Sequence, residues 1–191
     1  KEAVDAWRGR YYDATNELNP VVRPLATLLF RAERSTFTFD RGAFQWVLLC
    51  LHGGTAILCY YVMRRFLRSA LAALLGALLF AVHPVATASV LRLAGQSDVL
   101  SLFFVLASII AALRARDLAA MGRPGIRALA WAAVFYLAAC MCKEWALVAA
   151  PAIWLCYAMQ ADGERMEPPA ARNFGIGIGA IVLLTLIVRF L

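Results

Sequence analysis

From Ala43 onward the chain is a series of long apolar runs cut by short polar loops, and the arginines crowd into alternate loops. Ala43–Phe66 is broken only by Gln45, His52 and the Gly53–Gly54 pair before it closes on Arg64, Arg65 and Arg68. A bilayer crossing takes about 20 apolar residues, so this stretch reads as a full span. Ala70–Val82 covers only about 20 Å at 1.5 Å per residue, less than the ~30 Å hydrocarbon core. It is expected to end at a cavity or to continue past His83–Pro84. Val99–Leu113, Ile126–Cys142, Trp145–Met159 and Asn173–Leu191 read as further spans, with a turn at Gly122–Gly125 and a polar linker at Gln160–Arg172. Gly175, Gly177 and Gly179 are expected to let the last span pack closely.

Composition supports lipid as the solvent. The 191 residues are 63% hydrophobic and 16% charged, whereas a water-soluble domain carries roughly 25% charged residues. The expected fold class is therefore all-α: a polytopic transmembrane helical bundle of about five to six spans. Residues 1–42 form an extracytoplasmic segment with amphipathic or interfacial pieces, and residues 43–191 form the transmembrane domain.

The net charge of +7 rests on 17 Arg and 2 Lys. One set of loops holds Arg64, Arg65, Arg68, Arg114, Arg116, Arg123, Arg127, Arg165 and Arg172, while the opposite short loops hold Arg92 and Lys143. The positive-inside rule places the arginine-rich set in the cytoplasm and the polar site on the extracytoplasmic face of a bacterial inner membrane or its equivalent. Nucleic acid is not implied by this surplus. The five cysteines lie inside apolar stretches, where a thiol acts as a small hydrophobe, and their spacing suits neither zinc nor a disulfide framework. Beginning at Lys1 without an apolar leader, the chain is expected to be a piece of a longer protein.

The polar residues that could carry chemistry sit at the ends of different spans: Arg23, His83, Arg92, Asp98, Lys143 and Glu144. Charges at such depth pair, face a wet cavity or serve function. Arg grips phosphate with a fork and Lys meets it as a point charge, so an outer basic cluster suits a phosphate headgroup. Asp98 and Glu144 could balance that charge or take a proton. Each residue also has a plainer reading. His83–Pro84 suits a helix boundary, Asp98 suits a helix N-terminus, Lys143–Glu144 suits a solvated corner, and His52 suits a hydrogen-bonded packing position. The aromatic residues Trp131, Phe135, Tyr136, Trp145, Trp154 and Tyr157 suit an interfacial belt.

Taken in order, Arg23–Pro24–Leu25, His52 within the next span, Leu79-Phe80-Ala81-Val82-His83-Pro84-Val85, Gly95-Gln96-Ser97-Asp98 and Lys143–Glu144 form a motif series. It resembles the membrane half of the tetratricopeptide-repeat-containing O-mannosyltransferases, members of the GT-C superfamily of glycosyltransferases. The resemblance spans roughly residues 20 to 160. It implies a GT-C-like partial membrane domain that takes a sugar, typically mannose, from a polyprenyl-phosphate carrier and gives it to a protein hydroxyl. Arg23, His83, Lys143 and Glu144 would then bind the substrate, with Asp13 or Asp98 as the catalytic carboxylate. A divalent metal is the one cofactor left open.

The sequence also departs from that family. Ala88 stands where an acidic residue follows His-Pro-Val, Gln96 replaces an Arg, and no apolar span precedes the outer segment. These departures keep a second expectation open: a noncatalytic descendant of such an enzyme, held as a subunit among other membrane proteins, its cleft filled by ordinary membrane lipid.

Overall fold

Asp40 opens the longest helix by accepting a hydrogen bond from the Gly42 N–H at 2.9 Å, so one otherwise orphaned helix-end donor is satisfied by a side chain. That helix belongs to a computed structural model describing residues 11–12, 18–19, 23–37, 40–92, 95–158 and 168–190. A minimal antiparallel ribbon pairs β1 (Tyr11–Tyr12) with β2 (Leu18–Asn19), which the helical reading did not anticipate. The other elements are helices: α1 (Pro24–Phe37), α2 (Arg41–Phe66), α3 (Ala70–Val82), α4 (Pro84–Leu91), α5 (Gln96–Ala120) and α6 (Ile126–Cys142). A 3-10 helix (Glu144–Ala149), α7 (Ala150–Ala158) and α8 (Pro168–Phe190) complete them.

Local chemistry explains most boundaries. Ser69 caps α3 with its hydroxyl on the Ala72 N–H at 3.3 Å. Gly122, at φ 69°, ends α5 in the left-handed conformation, and the Arg123 N–H returns to the Leu118 carbonyl at 2.9 Å. The 3-10 turn before α7 follows from Pro151, which lacks the N–H an α-helix needs; Ala150 N–H bonds instead to Leu147. Pro168–Pro169, expected in a linker, begin α8 instead, because proline suits the first helical turn, where donors have no intrahelical partner.

Contacts at successive levels fix the directions of the helices. Leu48 clusters with Val99, Gly54 lies against Phe103, and Arg65 pairs with Asp117, so α2 and α5 run parallel in a near-constant register. Ser101 bonds the Ala139 carbonyl at 3.1 Å and Ser108 the Ala132 carbonyl at 2.8 Å, which makes α6 antiparallel to α5. Between α2 and α5 the chain must return. It does so through α3, which packs against α2 from Met63–Gly76 to His52–Ala81, and then α4, where Gln45 donates to the Val90 carbonyl at 3.2 Å.

The main core lies among α5, α6, the 3-10 helix, α7 and α8, built from Val105, Ile109, Leu113, Tyr136, Ala139, Cys140, Ala146, Ile153 and Ile178. Cys140 sits buried within it, and Cys142 is buried as well. Of the glycines in α8, only Gly175 meets a neighbour closely: a β-carbon there would lie 2.9 Å from the Trp154 indole nitrogen, while Gly177 and Gly179 face open space.

Two helices, residues 42–66 of α2 and all of α5, are long and apolar enough to cross a membrane. Ala70–Val82, Ile126–Cys142, Glu144–Ala158 and Arg172–Ile187 are shorter apolar helices. α5 runs longer at both ends than the apolar run Val99–Leu113, because Gln96–Asp98 form its first turn and Arg114–Ala120 continue the helix.

Candidate functional site

Antiparallel packing of α6 on α5 carries the end of α6 back to the start of α5, so Lys143 meets Asp98. The Lys143 Nζ lies 2.6 Å from each Asp98 carboxylate oxygen. Glu144, one residue on, opens the 3-10 helix and takes the guanidinium of Arg23 as a fork, with Nε on Oε1 at 3.2 Å and Nη2 on Oε2 at 3.1 Å. Arg23 is itself set by α1: its carbonyl accepts from both the Thr27 N–H at 3.0 Å and the Thr27 hydroxyl at 2.9 Å. Tyr136 pins the corner from within by donating to the Leu147 carbonyl at 3.3 Å.

Three segments of chain thus bring two cations and two carboxylates together with no net charge. Their side chains remain 22–40% exposed, which leaves them open to a ligand. At such exposure each pair contributes less than about 1 kcal/mol to stability, so stability alone is a weak reason for the arrangement.

Behind Asp98 lies a cavity of about 210 Å³, lined by His52, Thr55, Phe80, Ala86, Ser89, Asp98, Val99, Leu102 and Trp145. His52 Nε2 is 3.1 Å from the Ala81 carbonyl oxygen. A carbonyl only accepts, so Nε2 is the donor in this contact. The ring also packs on Phe80 at 5.3 Å between centroids. Gly95 lets α5 begin tightly against α4: a β-carbon there would stand 2.0 Å from the Ser89 carbonyl oxygen. Ser89 and Asp98 can therefore line one cavity.

Of the residues singled out in the sequence, Arg23, Asp98, Lys143 and Glu144 come together. His83 does not join them. It is exposed in the break between α3 and α4, where Nδ1 accepts from the Val85 N–H at 3.2 Å and caps α4. Arg92 is exposed at the end of α4. Asp13 lies outside the described residues. Among the described residues no group of three or more His, Cys, Asp or Glu stands where it could hold a metal ion.

The sequence reading passed over Thr55 and Ser89 of the cavity wall and placed Trp145, also in that wall, in an interfacial aromatic belt. It also passed over Glu33, which is 4% exposed in α1 and accepts a hydrogen bond from Gln96 of α5 on Oε1, while Oε2 has no hydrogen-bond partner among the described residues. Burial raises its carboxyl above the ordinary range, and the Gln96 hydrogen bond acts in the opposite direction. A signal for Glu33 exists in the sequence: Ala26, Phe30 and Glu33 recur at helical spacing on one face, so the acid falls in line with apolar residues.

No family model, no curated protein and no solved structure matches this chain.

Proposed function

We propose that the chain is a multi-pass membrane protein of the GT-C-like glycosyltransferase kind, with its charged corner on the outer face binding a sugar carried on polyprenyl phosphate. The observation that carries this reading is the meeting of Arg23, Glu144, Lys143 and Asp98 at one end of the bundle, beside a cavity that Asp98 lines.

The path of the chain supports the membrane part. Because α2 and α5 are parallel, the segment between them must recross whatever they cross. The 13 residues of α3 and the 8 of α4 extend about 20 and 12 Å, together close to a ~30 Å hydrocarbon core. They would form one span broken at His83–Pro84. Only 17% of the apolar window in α2 is buried within the bundle, unlike the core helix of a water-soluble fold. Trp46, Val82 and Val85 are each at least 70% exposed, as side chains facing lipid would be.

The chemistry follows from the pairing. A phosphate entering the corner competes with Asp98 for the Lys143 ammonium and with Glu144 for the Arg23 guanidinium. Once displaced from Lys143, the Asp98 carboxylate can accept a proton. The acceptor hydroxyl oxygen then forms a bond to the anomeric carbon while the bond from that carbon to the phosphate oxygen breaks; its proton passes to Asp98, and polyprenyl phosphate leaves with the electron pair, inverting the sugar. Replacement of Lys143 by Ala is expected to abolish transfer from polyprenyl-phosphate mannose in a protein that still folds. Full transfer by the folded variant would sink the enzyme reading.

The neutralisation of both cations by carboxylates favours a second reading, a noncatalytic subunit of a larger membrane complex whose pairs are simply structural. Copurification with other membrane proteins in fixed stoichiometry is its expected outcome, and a lone, active protein counts against it.

A further inference from the structure

The antiparallel path that carries Lys143 to Asp98 puts the start of α6, the end of α7 and the start of α8 at the opposite end of the bundle. A cleft of about 420 Å³ opens there between these three helices. Its walls run from Ile126 to Ala133 on α6 and from Phe174 to Ile181 on α8, about 10 Å along each axis. Tyr157 closes it from α7, packed on Phe174 at 4.3 Å between ring centroids. At Gly177 in the α8 wall a β-carbon would meet nothing within 4 Å, so the cleft has room on that side.

Charge at this end is one-sided. Arg127 follows Ile126 directly, Arg172 stands two residues before Phe174, and both are exposed, as is Arg123 in the turn before α6. Arg116 is buried in the last turns of α5 and interacts electrostatically with Tyr157. Asp117 is the one carboxylate among the described residues of these helix ends, and it is paired with Arg65. An apolar cleft set among arginines suits a ligand with a hydrocarbon chain and a negative head. Basic pockets between membrane helices hold anionic headgroups in this way. A zwitterionic headgroup brings an ammonium that the arginines repel, and a small soluble anion leaves the apolar walls uncovered.

We propose that the cleft between α6, α7 and α8 is a binding site for an anionic phospholipid, with an acyl chain between the helices and the phosphate on Arg127 and Arg172. The proposal rests on the membrane part of the reading given under Proposed function and not on sugar transfer. The site lies at the end of the bundle away from the charged corner and shares no residue with it.

Native mass spectrometry of the protein in detergent micelles tests this with two probes, dioleoyl-phosphatidylglycerol and dioleoyl-phosphatidylcholine, which share their chains and differ in headgroup charge. The wild type is expected to bind phosphatidylglycerol about tenfold more tightly, and the double variant Arg127→Gln, Arg172→Gln to bring the two lipids level. Gly177→Phe fills the cleft and is expected to weaken phosphatidylglycerol by about tenfold. Equal affinity of the wild type for both lipids overturns the proposal. So does a preference that survives the double arginine variant, or phosphatidylglycerol binding that Gly177→Phe leaves undiminished. If Gly177→Phe lowers the melting temperature, Ala133→Phe on the α6 wall decides the matter by the same criterion. The preference is read without any sugar transfer, so the two readings fail separately. A folded Lys143→Ala variant with full transfer overturns the enzyme and leaves the lipid site standing, whereas a wild type without the preference overturns the lipid site alone.

Discussion

The Lys143 ammonium stands 2.6 Å from each carboxylate oxygen of Asp98, across 45 residues of sequence. Both side chains keep contact with solvent, so the pair is held by the antiparallel docking of α6 on α5 more than it holds that docking. A double-mutant cycle of Lys143→Ala and Asp98→Asn should therefore return a coupling of roughly 0.2–1 kcal/mol in thermal or denaturant unfolding. A coupling of several kcal/mol would mean that the pair is sealed from water and unable to exchange partners with a phosphate.

Glu33 gives stability a pH dependence of definite sign. Its carboxyl is raised by burial, so over the interval between the ordinary carboxylate range and its raised value the folded protein holds more proton than the unfolded chain. Stability contributed by the protonated form is then lost as pH rises through that interval. Glu33→Gln removes the titration, and its melting temperature should vary less with pH than the wild type's and lie above it at neutral pH, by roughly 1 kcal/mol of stability. Parallel pH profiles for the two proteins would contradict the assignment.

Two glycines make opposite predictions. Gly95→Ala drives a β-carbon into the Ser89 backbone, and the repacking should cost about 1–3 kcal/mol and disturb the Asp98 cavity. Gly177→Ala meets nothing within 4 Å in a helix interior and should be neutral or stabilising by up to about 1 kcal/mol. Unfolding of the two variants side by side checks both.

His83 separates a cap from a ligand. As the cap of α4 it should tolerate Asn, which accepts the same N–H, whereas Ala should lose roughly 1 kcal/mol. A phosphate-binding role would instead appear as weaker binding of polyprenyl phosphate in both variants, with only the Ala variant less stable.

Much of this architecture is legible in the residue order. The break at His83–Pro84 and the turn at Gly122 announce themselves, because each is decided by the chemistry of one or two residues, whereas the caps at Asp40 and Ser69 emerged only with the structure. What the sequence conceals is length and pairing. α5 runs on through Arg114–Ala120 because arginine, leucine and alanine favour the helix as strongly as the apolar run before them. The charged residues were visible as a group, but their division into Arg23–Glu144 and Lys143–Asp98 depends on the register of α6 against α5, which no local pattern carries. His83, grouped with them by its motif, is drawn away by the helix end it caps. Glu33 stayed hidden because an acid on an amphipathic helix reads as surface until its neighbour Gln96 is known.

The charged corner of Arg23, Glu144, Lys143 and Asp98 sums to zero, and that has a consequence for how anything arrives there. Paired opposite charges at close range cast almost no field beyond a Debye length of about 8 Å. The corner itself therefore adds little to the steering of an anionic ligand that diffuses through water, and any such pull comes from the arginines around it. For the lipid-linked sugar proposed above, encounter would instead be two-dimensional, by lateral sliding in the bilayer, and its rate should then depend on membrane area and fluidity.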